Sequence, residues 1–168
     1  MPQRRFATYL INCFWLMLPP LAISGLLSGL LPPVYQPDVF WADIPAYLAW
    51  PETVCRFLIT GLPLLLPLRF ATPRQWVGLA LYGVGVLAYG LAWWPLIVAP
   101  DSAWSLSVVG FAAPAYTPLL WIAGIGLIGS GTENRWQRWI GWSYASSALV
   151  FLVSHNLHTL LIHLRHMA

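Results

Sequence analysis

Lysine is absent from this chain of 168 residues, and only 8% of its residues carry a charged side chain. A water-soluble domain has about 25%. A chain this short cannot build a charged shell from so few groups, so a water-soluble globular fold is excluded. Carboxylates are scarcer still: Asp38, Asp43, Glu52, Asp101 and Glu133 are the full set. The chain contains no H-E-x-x-H, no G-x-S-x-G, no phosphate-binding loop, no dinucleotide fingerprint and no pair of aspartates. Ser154 stands beside His155, but helix neighbours point about 100° apart, so they form no nucleophile–base pair. These absences weigh against an enzyme. There are two cysteines, Cys13 and Cys55, expected at opposite depths of the fold, which excludes a disulfide and leaves them as small apolar fillers. Fixed-period repeats, low-complexity linkers and any boundary to a second domain are lacking, so residues 1–168 read as one domain.

What remains is apolar. Hydrophobic residues make up 59% of the chain, and mean hydropathy is +0.69. The bilayer is therefore the solvent. Five apolar runs stand out, at about 6–31, 53–71, 76–99, 106–129 and 136–164. They predict an all-α integral membrane protein, a bundle of five transmembrane helices. A cleaved signal peptide competes for the first run, but the apolar stretch continues to Leu31 and favours a retained span.

The net charge of +3 is carried by arginine alone. Arg4 and Arg5 precede the first run, Arg69 and Arg74 separate the second from the third, and Arg135 and Arg138 follow the fourth. The alternate connections carry Asp38, Asp43 and Glu52, then Asp101. By the positive-inside rule the N-terminus is cytoplasmic and the C-terminus outside, in a bacterial-type inner membrane. Only Arg165 falls on the wrong side. Arginines placed at segment ends are orientation signals and leave no nucleic-acid surface; the expected partners are the lipid bilayer and other membrane subunits or a second copy.

Run by run, the prolines and small residues set local expectations. Pro19–Pro20 should kink or interrupt the first span. Behind them Ser24, Gly25, Ser28 and Gly29 form a ridge of small residues, suited either to packing within the bundle or to a homodimer seam. Residues 32–51 form a long loop rich in Tyr, Trp and Phe in the outer interface. It is read as an aromatic belt that fixes depth or as a lid over the bundle mouth; Asp43 is placed to cap a short helix from Ile44 to Ala49. Pro63 and Pro67 should bend the second helix. Gly83 and Gly90, seven apart, predict a closely packed face on the third. Ser130 or Thr132 should cap the last helix, whose Trp136, Trp139 and Trp142 anchor it at the inner interface. Eleven tryptophans and five spans resemble the tryptophan-rich sensory (translocator) proteins; their loop pattern does not align onto residues 32–51, and no residue role is carried over.

The last run, Trp136 to His166, is the one apolar stretch without proline, and it holds all four histidines. A helical wheel puts Trp139, Trp142, Leu149, Val150, Val153, Leu157, Leu160, Leu161 and Leu164 toward lipid. Gln137, Gly141, Tyr144, Ala148, Phe151, His155, Thr159 and His166 turn toward protein, with His158 and His163 on the flanks. His155 and His158 fall at the depth of Glu52 and Arg56, which are spaced i,i+4 in the favourable order. With Asp38 and Asp43 they make a candidate polar cluster at the outer mouth. Three chemistries follow. His155/His158 and His163/His166 are i,i+3 pairs able to offer nitrogens to a metal, completed by a carboxylate. Haem would need a dimer or an open coordination position, because one helix carries every histidine. Glu52, Arg56 and His155 could form a proton or ion relay in a transporter. The bland alternative makes Glu52–Arg56 a surface pair, His163 and His166 exposed chain-end residues, and His155 and His158 hydrogen-bonding partners of neighbouring helices. The function expected first is an accessory or assembly subunit or a small-ligand binder with a polar pocket at the outer mouth. No cofactor is specified.

Overall fold

A computed structural model describes residues 11–129 and 135–167. Among them the chain is all-helical, with no strands. Three helices are long and apolar enough to cross a membrane: Cys13–Leu30, Pro73–Val98 and Arg135–His166. The expected cap at Ser130 or Thr132 and the Arg4–Arg5 pair lie outside the described residues.

The first segment shows how proline writes local structure. Cys13–Met17 is a 3-10 helix, and α1 proper runs from Leu18 to Leu27 with Pro19 and Pro20 in its opening turn. Proline is tolerated there because those N–H groups lack a helical partner anyway. The cost falls upstream. Pro19 and Pro20 withhold the donors that the carbonyls of Trp15 and Leu16 would use. The Leu18 N–H serves Trp15, and the Tyr82 hydroxyl, 2.9 Å away, serves Leu16. The expected mid-span kink is thus a change of helix type near the start. The small-residue ridge points outward. A side chain built on Gly25 or Gly29 would meet nothing within 4 Å, so the ridge is not packed inside the bundle formed by the described residues.

The second helix, α2, spans Ala46–Gly61 and continues as a 3-10 turn over Leu62–Leu65. It begins earlier than the apolar run and carries Pro51 inside it. Asp43 does not cap it. Asp43 has φ 53°, and the N-cap is Pro45, whose carbonyl receives Leu48 and Ala49 N–H. A residue before proline is driven away from helical dihedrals, so no helix can run through Ile44.

α3, Pro73–Val98, starts with a capping box: Thr72 and Gln75 exchange side-chain and backbone bonds, with Pro73 in the first turn. The fourth run does not form one helix. Three single turns, Ala103–Leu106, Val108–Phe111 and Ala113–Tyr116, lead into α4, Pro118–Gly129. α3 and α4 run antiparallel and form the most extensive helix pair. Gly78 and Gly85 make the close approach. A Cβ on Gly78 would lie 2.9 Å from the Gly124 carbonyl oxygen, and one on Gly85 only 2.4 Å from the Trp121 nitrogen. Gly83 would meet nothing, and Gly90 only Ile23 at 3.7 Å. The seven-residue period was the right signal in the wrong phase.

α5, Arg135–Met167, is unbroken, as the lack of proline predicts; its 33 residues span about 50 Å. Its faces separate largely as the wheel requires, except at the chain end, where His166, placed toward protein, is exposed and Leu160 and Leu161, placed toward lipid, are half-buried. Trp139, Trp142, Leu149, Val153, Leu157 and Leu164 are exposed, while Tyr144, Ala148, Phe151, His158 and Thr159 are buried. Phe57, Leu87, Leu91 and Trp94 add to an apolar exterior. α5 lies antiparallel to α2 and packs against it more extensively than against any other helix. Arg69, Arg74, Arg135 and Arg138 gather at one end of the bundle; Glu52, the 37–43 segment and the end of α5 gather at the other.

Candidate functional site: a buried carboxylate between two histidines

Glu52 sits in the first half of α2 and is wholly buried. α5 presents His155 and His158 to it, one helical turn apart. His155 Nδ1 lies 2.9 Å from Oε1, and His158 Nδ1 2.6 Å from Oε2. Arg56, one turn along α2, donates to Oε1 at 2.5 Å. One carboxylate thus serves three nitrogens from two helices. An isolated charge in so dry a site would be prohibitive; surrounded by donors it is held.

Aromatic rings close the site. The Arg56 guanidinium lies 5.7 Å from the Trp41 ring centre and 5.5 Å from that of Phe151. His155 stacks on Phe151 at 5.2 Å, and His158 meets Phe40 at 4.3 Å and Trp41 at 4.7 Å. Phe40 and Trp41 belong to the short helix Pro37–Phe40 and the turn after it. This segment is tied down twice. His158 Nε2 bonds the Phe40 carbonyl at 2.7 Å, and Arg165 bonds the carbonyls of Ala42 and Asp43 at 3.1 and 2.9 Å. Arg165, the cation that the charge pattern left unexplained, is a strap for this segment. Nearby, the Tyr35 hydroxyl donates to the Phe111 carbonyl at 3.1 Å, and burial pushes its phenol pKa up.

Donor counting constrains the protons. A carbonyl only accepts, so His158 Nε2 carries hydrogen. Its Nδ1 then either donates to an ionised Glu52 or accepts from a protonated one. In both cases the pair holds one proton more than a neutral imidazole and a carboxylate would. Neither partner can lose it without breaking a hydrogen bond.

The expected mouth is therefore partly assembled. Glu52, Arg56, His155 and His158 converge; Asp38 and Asp43 are exposed and their carboxylates stand outside the cluster. Glu52–Arg56 is not the surface pair of the bland reading, because Glu52 is sealed. His163 is not an exposed chain-end residue: it is buried against Phe111 at 4.9 Å, and its Nδ1 has no partner among the described residues. His166 is exposed. The four histidines do not share a centre, and among the described residues no group of three His, Cys, Asp or Glu is arranged to hold an ion. Cys13 and Cys55 are free thiols. Sequence reasoning missed Phe40, Trp41 and Arg165, whose roles depend on a loop folding back onto a distant helix. No protein-family profile, characterised protein or solved structure matches this chain.

Proposed function

We propose that this chain is a non-enzymatic five-pass inner-membrane protein, N-terminus inside and C-terminus outside. Its outer end carries a proton-held latch, and it serves as an accessory or assembly component or a small-ligand binder. The single observation behind the latch is His158, bonded at once to Glu52 and to the Phe40 carbonyl. Removing the shared proton leaves one ring nitrogen without hydrogen, so either the helix–helix bond or the lid bond is lost. The groups facing His158 are Glu52, with Arg56 and His155 behind it, and the rings of Phe40 and Trp41. Among the described residues no other charged group replaces the lost bond. The charge-assisted bond to the carboxylate outlasts the bond to a neutral carbonyl, so loss of the shared proton loosens the 37–43 lid. The gathering of four arginines at the opposite end supports the orientation. The outward Gly25–Gly29 ridge is where a second copy or partner subunit would pack.

Hydrogen exchange of segment 37–43, corrected for intrinsic rates, tests the latch. Exchange in the wild type rises with pH. In Glu52→Gln the amide donates to Nδ1 while Nε2–H still holds Phe40, so the lid stays closed and pH-insensitive. Equal pH dependence in both proteins would refute the latch. A second reading, proton transport through the same groups, is favoured by the step in exposure from the His155 side chain at 18% to Glu52 at 0%. Proton flux in liposomes that Glu52→Gln leaves unchanged would count against it.

A further inference from the structure

α4 and α5 splay apart toward the exterior and leave a groove of about 640 Å³, whose lining shares no residue with the Glu52 cluster. Its floor is Ile122, Tyr144 and Ala148, all buried. The groove exists because its walls are small: Gly126 on α4, and Gly141 and Ala145 on α5. It is also fixed in shape. The Tyr144 hydroxyl is committed to the Ile122 carbonyl at 3.1 Å, and a Cβ on Gly126 would already lie 3.4 Å from the Tyr144 ring. One side opens between the exposed Leu119 and Leu149, on the apolar exterior.

The lining is apolar except for Arg74 and Arg138 at the end where the arginines gather. Both are exposed, and neither has a carboxylate partner among the described residues. A smaller hollow of about 330 Å³ adjoins it, sharing Arg138 and Trp142 and adding Arg135 and Trp139. From Arg138 to Leu152, α5 rises about 21 Å, more than the ~15 Å depth of one leaflet's hydrocarbon. The layout is an apolar trough as long as an acyl chain, ending in the Arg74 and Arg138 guanidinium groups and interfacial tryptophans.

We propose that this groove binds an anionic phospholipid of the cytoplasmic leaflet, its phosphate on Arg74 and Arg138 and one acyl chain along Ile122 and Ala148. Charge selects the occupant. A second copy docking here by a twofold axis would bring like charges together, and a zwitterionic lipid adds a cation where two already stand. The apolar floor distinguishes this from a site for free phosphate, which would bury no hydrocarbon. The inference goes beyond the latch and uses none of its residues.

The test is native mass spectrometry of the full chain released from nanodiscs of phosphatidylglycerol mixed with phosphatidylcholine. Retained phosphatidylglycerol should exceed phosphatidylcholine, and R74Q/R138Q should lower that retention by roughly thirty-fold. Ala145→Phe, at an exposed wall position, should fill the trough and lower retention with both arginines intact. Excess glycerol phosphate should not displace the lipid. Equal retention of the two lipids, or wild-type retention in either variant, would overturn the proposal. The lid's pH response in the same samples reads the latch separately.

Discussion

His158 Nδ1 and Glu52 Oε2 lie 2.6 Å apart with neither side chain exposed to solvent. α2 and α5 are therefore joined through a proton that no apolar contact could replace. Deleting the carboxylate leaves two imidazoles and a guanidinium without their acceptor. Glu52→Ala should destabilise the fold by about 3–5 kcal/mol, whereas Glu52→Gln, which keeps an acceptor and gains a donor, should cost far less. Thermal unfolding in a mild detergent measures the difference.

Arg56 is a different matter, because its side chain is 45% exposed. Solvent screens much of its pairing with Glu52, so Arg56→Gln should cost only about 1 kcal/mol. The same unfolding assay ranks the two substitutions, and Glu52→Ala must be the worse.

Tyr82→Phe should cost about 1–3 kcal/mol, although it removes one oxygen. The Leu16 carbonyl has lost its helical donor to Pro20 and its 3-10 donor to Pro19, so the tyrosine hydroxyl is its replacement. Tyr116→Phe, at an exposed position, is the control and should be neutral.

The α3–α4 contact makes a sharp prediction about glycine. Gly85→Ala should destabilise by about 1–3 kcal/mol or more, since its methyl group would collide with backbone at Trp121. Gly83→Ala, two residues away and facing open space, should be tolerated. Parallel unfolding curves decide this.

Much of the architecture could be read from the chain. Most of the α5 faces followed from a single wheel, because a helix without proline keeps its phase; only at the chain end, where few elements remain to cover it, does His166 lie exposed against the wheel. The depth match of Glu52 with His155 and His158 followed from the antiparallel order of the runs. Other features could not be read. Gly83 and Gly90 repeat with the same period as Gly78 and Gly85, and only the position of α4 distinguishes the two pairs. The fourth run averages apolar across Ser107, Pro114 and Thr117, so hydropathy could not show that it makes two separate turns before Pro118. The lid rests on Phe40 and Trp41 reaching a helix more than a hundred positions later, a contact with no local periodic trace. The Thr72–Gln75 capping box had a local signal, Thr-Pro-x-Gln just ahead of the third run, that sequence reasoning missed.

Arg165→Ala should free the 42–43 end of the lid while leaving the Glu52 cluster intact. Exchange at residues 42–43 should rise with little change in unfolding temperature. His158→Ala should raise exchange across the whole 37–43 segment at every pH, because it removes the inner tie.

The protonation of the His158 ring is the most direct test of all this. Nitrogen-15 NMR of imidazole-labelled protein in nanodiscs, with His158→Ala to assign the signal, reads each ring nitrogen. With the lid closed, Nε2 should carry hydrogen and Nδ1 should share a proton with Glu52. A bare Nε2 would contradict the account, because a carbonyl cannot donate to it and the latch would have nothing to hold.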